Sequence, residues 1–365
     1  MKEDGERMKD QLISDLRDLT ALHAPAGFEQ PVVRYLRAAF APLADSVEVD
    51  SMGNLYAVKR GRKEHPRFMI CAHSDEIGGV VKSILPSGFL KIDKLGGVLD
   101  ALMIGRKVWV NGRLGVAGMK SGHLQSAEER TKVPLLETSY VDVGASSAEE
   151  VARMGIRIGD PWVWLSELEQ MTNPDLLVGK AIDNRLSCAI LLQVLRELKG
   201  VTLDGTLIAL VAVQEEVGLR GAKVAAEHAK PDYAVVLDTF MSGDTPDVDF
   251  YREMPTGIGR GPVALLATTG HIAHPGVARL MDEAAQRAGV TLQRATVIGK
   301  ANTDASSIHL AGEGIPTGGL GICRRYSHSP IELIDINDSV GAVKVLVEMS
   351  RAMGSAPAEI AGAWA

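Results

Sequence analysis

Apolar residues recur three and four positions apart near the start of the chain. Met8, Leu12, Leu16 and Leu19 fall on one stripe with charges between them, which predicts an amphipathic helix. Pro25 and Gly27 interrupt the pattern, and a second amphipathic helix is predicted over Gln30–Phe40. Short strand-like runs follow at 46–50, 54–59 and 67–72, the first two separated by a turn at 51–53. Over 80–164 the texture changes to many short β-like runs (VVKSIL, FLKID, VWVNG, YVDVG) broken by Gly, Pro and Asn, which predicts a small barrel or sandwich. Within it, Ser147 and Glu150 form a capping-box pattern that opens a short helix. From about residue 175 strands and helices alternate: helix 183–198, buried strand 206–213, helix 218–229, strand 233–237, then helices near 277–288 and 338–353. That rhythm predicts an α/β fold, a mixed sheet flanked by helices on both faces, interrupted by an inserted β domain. The expected division is 1–79 plus 173–365 for the α/β part and 80–172 for the insert. The Ala/Gly-rich tail from Gly354 is the one low-complexity tract.

Composition narrows the function. The 365 residues are 46% hydrophobic and 23% charged, ordinary for a globular chain large enough for two domains. The 39 basic and 46 acidic groups give a net charge of −7, with no basic block to serve nucleic acid or a membrane surface. Aromatics are 4%, which argues against a base-stacking surface. The opening MKEDGERMKDQL has no apolar signal core, and the longest apolar run, 207–213, is too short to span a bilayer. Cys71, Cys188 and Cys323 are odd in number and widely spaced, so no disulfide framework is expected, and a reducing cytoplasm fits.

Five segments gather His, Asp and Glu at strand ends or loops. The segment AHSDEIGG at 72–79 follows an apolar strand. Alternation puts His73 and Asp75 on one side, where the carboxylate can fix the imidazole tautomer. GKAIDNR at 179–185 sets Asp183 at a helix start. In QEEVG at 214–218, Glu215 and Glu216 follow the strand at 206–213, so one can bind metal while the other moves a proton. Asp238 ends the apolar run 233–237, and His328 lies in the loop RRYSHSP. Taken singly, each has a plainer explanation: a core His with a local Asp, a helix N-cap, a solvated acidic turn, a strand-end acid, an exposed loop His. Taken together, they suit a two-metal centre at the carboxyl ends of the strands of an α/β sheet.

Read in order, DSMGN at 50–54, AHSDEIGG, GASSAEE with GIRIGD at 144–160, GKAIDNR, QEEVGLRGA, VLDTF, NTDASSIH at 302–309 and RYSHSPIE at 325–332 resemble the tetrahedral self-compartmentalising metalloaminopeptidases. Glutamyl and deblocking aminopeptidases belong to that family, and some members once carried the name endoglucanase. The resemblance spans nearly the whole chain. It implies a zinc-peptidase-like α/β domain with an inserted β-barrel that serves dimerisation or assembly, and dimers that build a hollow dodecamer. It implies two divalent ions per subunit, zinc or cobalt, with manganese a further option. His73, Asp183 and Asp238 would hold one; Asp183, Glu216 and His328 would hold the other, with Asp183 bridging. Glu215 would be general base and acid, and Asp75 would orient His73. Spacing alone leaves Glu215 and Glu216 interchangeable; the family pattern separates them. The implied substrates are peptides with a free N-terminus.

Two positions depart from the family. Ser74 stands where many members carry Met, and Asn302 replaces a Gly before Thr-Asp-Ala, beside Asp304, which is either a pocket residue or a helix N-cap. His123, His271, His274 and His309 match no ligand position; His271 and His274 read as loop or helix-start residues because Pro275 follows directly. Cys188 reads as packed, Cys323 as a non-ligand, and Gly257–Gly261 as a structural loop. The alternatives are a dinuclear amidohydrolase (dipeptidase or N-acyl amino acid deacylase), a carbohydrate endoglucanase using two carboxylates, and a noncatalytic assembly subunit.

Overall fold

A computed structural model describes residues 2–364. Chain order is α1 (Lys2–Ala21), α2 (Gln30–Phe40), β1 (Ser46–Val49), β2 (Leu55–Lys59) and β3 (Arg67–His73). Next come β4 (Gly78–Ile84), β5 (Leu90–Leu95), β6 (Lys107–Val110), β7 (Arg113–Gly118), β8 (Tyr140–Asp142), α3 (Ala148–Arg153) and β9 (Pro161–Trp164). The chain continues through β10 (Glu169–Gln170), β11 (Leu176–Gly179), α4 (Ile182–Glu197), β12 (Thr206–Ala212), α5 (Arg220–Ala229) and β13 (Tyr233–Met241). It ends with β14 (Val263–Ala267), α6 (Pro275–Ala288), β15 (Gln293–Thr296), α7 (Ala305–Ile308), β16 (Thr317–Arg324), β17 (Glu332–Asp335), α8 (Ile336–Arg351) and α9 (Ala356–Ala361).

An eight-stranded mixed sheet runs in the order β1-β2-β12-β3-β13-β16-β14-β15. Its centre, β12-β3-β13-β16, is parallel. Both faces are covered, and the strands show why. In β3, Phe68, Ile70 and Ala72 join the core under α1, α4, α6 and α8, while Met69 and Cys71 join a second core with the alanines of α5 and α7. β12 splits the same way, Leu207, Ala209 and Val211 against Ile208, Leu210 and Ala212. Strands β4-β5-β8-β7-β6-β9 close a separate six-stranded barrel. Val81, Leu90, Val108, Val110, Val141 and Trp162 fill its interior. β10-β11-β17 form a small sheet.

The helix stripe Met8, Leu12, Leu16 and Leu19 is buried as its period requires. At α3 the Ser147 hydroxyl accepts from the Glu150 N–H, and Glu150 reaches back to the Ser146 N–H rather than to Ser147. The structure departs from the sequence pattern in several places, among them β10, β11 and β17, which no sequence run announces. β14, β15 and β16 form where no strand is predicted, and β13 runs on to Met241 because β16 pairs with it along its length. α5 starts at Arg220, after the loop that carries the paired glutamates. The Ala/Gly-rich tail contains a helix, α9, that packs on α6. All three cysteines are buried and free. Among the described residues no helix is long and apolar enough to cross a membrane.

Candidate metal centre

The parallel strands β12, β3, β13 and β16 point their carboxyl ends the same way, and the candidate residues gather there. His73 is the last residue of β3 and Asp238 lies in β13. Glu215 and Glu216 follow β12, and His328 follows β16. Asp183 lies in the first turn of α4, where its backbone leaves the helical region (φ −76, ψ 107). The N-cap position of α4 is Ala181, and the Asp183 side chain is turned into the cluster.

The separations are specific. His73 Nε2 stands 3.3 Å from Asp183 Oδ1 and 3.7 Å from Asp238 Oδ1. His328 Nε2 stands 3.4 Å from Asp183 Oδ2 and 3.6 Å from Glu216 Oε1. Asp183 thus offers one oxygen to each imidazole. His73 Nδ1 and Asp183 Oδ1 are buried without a hydrogen-bond partner among the described residues, so the approach of His73 to Asp183 lacks hydrogen-bond alignment. Two donors sharing a tetrahedral ion at about 2.1 Å each stand about 3.4 Å apart. The residues present therefore fit divalent metal by separation, by orphaned atoms and by donor type. Donor atoms of His73, Asp183 and Glu216 lie within 4.8 Å of one another, and so do those of His73, Glu215 and Asp238. Glu215 thus lies among the same donors as the expected ligands, and His328 is tied to the group through Asp183 and Glu216.

Electrostatics point the same way. Burial, with Asp238, Asp304 and Glu216 nearby, pushes the Glu215 carboxyl well up. Burial and Asp183 push Glu216 up to about 8, and burial raises Asp304 to about 7. Burial opposes charge on Asp183 too, yet Arg324 and the two imidazoles hold it well below the usual carboxylate range. His328 loses to burial but gains more from Asp183 and Glu216, and rises to about 9. Carboxylates crowded until they retain protons form a donor set suited to cations.

Supporting contacts explain the placement. Asp75 lies past the end of β3, with Oδ1 3.4 Å from His73 Nδ1. Its two oxygens also accept the N–H groups of Glu215 (3.1 Å) and Glu216 (3.0 Å), so it holds the loop after β12. The Cys188 thiol donates to the His73 carbonyl (3.2 Å), which makes it packing beneath a candidate ligand. Asn184 Nδ2 donates to the Leu237 carbonyl (3.0 Å) and ties the start of α4 to β13. Ser74 donates to the Ala212 carbonyl (2.9 Å) and faces away from the cluster. Buried Glu76 pairs with Lys180 (2.8 Å) and Arg185 (3.2 Å), joining the turn after β3 to α4.

Two site residues were not expected from the sequence. Arg324, at the end of β16, donates to Asp183 Oδ2 (2.5 Å) and to Glu332 (2.9 Å). Glu332 accepts the backbone N–H of both Asp183 and His328, each at 3.0 Å. The glycine-rich run TGGLGICR that leads to Arg324 predicts no strand, so the signal used for Asp238 was lacking here. Asp304 occupies the N-cap position of α7 without capping it, and its Oδ1 is buried without a hydrogen-bond partner among the described residues. Asn302 accepts from the Ser306 hydroxyl and lines the cavity. His274 caps α6 through the Gly276 N–H (3.2 Å), and the His271 ring lies 5.2 Å from that of His309, tilted by 35°, both apart from the candidate ligand cluster. The cluster opens into a cavity of ≈ 440 Å³ lined also by Leu219, Phe240, Met241 and Lys300.

The chain is similar to known aminopeptidases along most of its length. A family model described as M42 glutamyl aminopeptidase matches residues 53–345. A putative aminopeptidase of Acetivibrio thermocellus is 36% identical over 334 residues, covering 91% of this chain and 96% of the relative. The crystal structure of a TET aminopeptidase from the marine sediment archaeon Thaumarchaeota archaeon SCGC AB-539-E09 superposes with a TM-score of 0.92 at 29% identity, covering 96% of this chain and 99% of that one. The TET1 peptidase of Pyrococcus horikoshii, described as able to assemble into a tetrahedron or a large octahedral shell, superposes with a TM-score of 0.83 at 29% identity, covering 93% and 99%.

Proposed function

This chain belongs to the M42 glutamyl aminopeptidase family and is an aminopeptidase, and on that footing we propose that it removes the first residue of peptides with a free N-terminus by a two-metal mechanism. His73, Asp183 and Asp238 would hold one divalent ion, and Asp183, Glu216 and His328 the other, zinc or cobalt being the best matches to these donors. The observation that carries this reading is the two-sided placement of Asp183, one oxygen 3.3 Å from His73 and the other 3.4 Å from His328. Two such ions would polarise the scissile carbonyl and make water a nucleophile at neutral pH.

The chain's own groups do the rest. Glu215 takes the proton of the attacking water and delivers it to the leaving amine. It is suited to accept a proton, because burial and neighbouring acids raise its carboxyl. Asp75 keeps Glu215 and Glu216 in place through their two N–H groups and faces His73 Nδ1. The cavity beside the cluster receives the first side chain of the peptide.

Residues 80–172 form the unit that mediates self-assembly, with 1–79 plus 173–365 as the catalytic part. The P. horikoshii relative's shells support this, as do the large apolar side chains exposed on the barrel. A homo-oligomer built from dimers up to a dodecamer, working in the cytoplasm, follows from the same reading.

The test is hydrolysis of aminoacyl-anilides and of free against N-acetylated peptides, after chelation and readdition of zinc, cobalt or manganese. Release restored by metal from free N-termini alone is the expected result. Cleavage of acyl-amino acids instead, or of glucan after chelation, would overturn the reading.

A further inference from the structure

Arg324 is 4% exposed and directs its guanidinium into the ligand cluster. Nε donates to Glu332 Oε1 at 2.9 Å, and Nη2 to Asp183 Oδ2 at 2.5 Å and Ser327 Oγ at 2.7 Å. Nη1 bonds the Thr239 hydroxyl. Glu332 in turn holds the backbone of Asp183 and of His328. The guanidinium is thus clamped, and its contact with Asp183 is one-sided. Oδ1 of Asp183 faces His73 and has no hydrogen-bond partner among the described residues, whereas Oδ2 faces His328 and already carries Arg324.

We infer that Arg324 is a positioning residue that makes the two ion positions unequal: the position at His73, Asp183 Oδ1 and Asp238 fills first and tightly, and the position at Asp183 Oδ2, Glu216 and His328 fills second and more weakly. The inference rests on the two-ion reading given above. Its physical basis is a fixed charge. A guanidinium does not lose its proton in a protein, so it cannot be titrated away when a cation arrives. It draws electron density from Oδ2 and repels a divalent ion that must use the same oxygen, in a buried site where screening is weak. Its field reaches Asp238 and Glu216 as well, so the asymmetry arises from the direct contact on Oδ2. The same clamp holds Asp183 in place before metal arrives, which keeps the stronger position preformed.

The full-length chain, stripped by chelation, is titrated with cobalt or zinc by calorimetry and by the visible absorption of bound cobalt. The wild-type chain is expected to take two ions in steps separated by at least about ten-fold in Kd. Arg324→Gln, neutral but still able to donate to Glu332 and Thr239, tightens the second step about ten-fold and leaves the first within about three-fold. Arg324→Lys keeps the charge and keeps the wild-type gap. A purely structural Arg324 would lower Tm in both variants without moving the ratio of the two steps, and that result overturns the inference. So does a second step that weakens in Arg324→Gln. Should Arg324→Gln fail to fold by circular dichroism, anomalous diffraction from wild-type crystals given one equivalent of zinc decides. Density concentrated beside His73 and Asp238 supports the inference, and equal occupancy or preference for His328 overturns it. Saturation at one ion per wild-type chain would refute the two-ion reading itself, whereas two ions with an unchanged Arg324→Gln would refute this inference alone.

Discussion

Glu215 and Glu216 share one peptide bond and one tether, the two oxygens of Asp75. Their side chains still divide, since only Glu216 stands beside His328, at 3.6 Å. In the proposed mechanism Glu216 binds metal and Glu215 moves the proton, so their isosteric amides should fail differently. Glu215→Gln is expected to lower turnover of an aminoacyl-anilide by roughly 10²–10⁴-fold, with metal content by atomic absorption unchanged; loss of bound metal would sink the assignment. A second residue, outside the cluster, carries a pH prediction. His271 donates through Nε2 to the Thr317 carbonyl (3.1 Å), and burial, helped by the neighbouring His309, pulls its imidazole down to about 4. In the unfolded chain an ordinary His titrates near 6.5. Between about pH 6.5 and 4 the unfolded state therefore takes up a proton that the folded state refuses, and stability falls as pH drops through that window. His271→Gln keeps the donor and removes the titration. Denaturant melts at several pH values should show a shallower acid decline in the variant, by at most about 2–3 kcal/mol across the window. Parallel declines would show that His271 contributes nothing to it.

The barrel reaches the candidate metal centre through a turn. After β5, Gly96 and Gly97 pass directly over it: a Cβ on Gly97 would meet His328 Nδ1 at 2.3 Å, and one on Gly96 would meet Glu216 Oε2 at 3.2 Å. Gly97→Ala introduces no strain in φ, only a methyl group in contact with a proposed ligand. It is expected to weaken the second ion by roughly 10–100-fold, as displaced support around a ligand does, while the far-UV circular dichroism stays unchanged. Unaltered metal titration would show that the turn merely borders the site. Elements differ in how plainly the sequence announces them, and for physical reasons. α1, α2, β3 and β12 carry their period in their own residues, so they are legible. β16, with TGGLGICR, reads as a loop by propensity. It is a strand because β13 and β14 pair with it on either side, and its glycines suit the crowding there: a Cβ on Gly319 would stand 3.0 Å from Leu265 Cβ, and one on Gly321 2.9 Å from Phe240 Cβ. The candidate residues His73, Glu215, Glu216 and Asp238 were legible because they follow apolar runs, whereas Asp183 at a helix start and His328 in a loop drew their meaning from the family pattern. Arg324 was not legible, because the partner that gives it meaning, Asp183, lies 141 residues away in the chain.

At the scale of the molecule the proposed site is complete within one chain: every expected ligand, Glu215 and the turn over His328 belong to the same 365 residues. Assembly is then free to serve access rather than chemistry. The barrel side presents Leu114 (59% exposed) on β7, with Leu124 (72%) and Leu135 (53%) in the segment that follows. Large apolar side chains left exposed on one stretch of chain are candidates for an interface. Light scattering after size exclusion should find wild-type particles far heavier than a 38.9 kDa chain, at best twelve copies. Leu124→Asp combined with Leu135→Asp should shift the mass to dimers or monomers. Because the site is intra-chain, the dissociated variant should hydrolyse a small anilide within about two-fold of the wild-type rate per chain, a loss of well under 1 kcal/mol in barrier. It should also begin to trim folded proteins with accessible N-termini, which a closed shell would exclude. An unchanged mass would remove these leucines from the interface. A smaller mass with abolished anilide turnover would mean instead that neighbouring copies hold the site in shape.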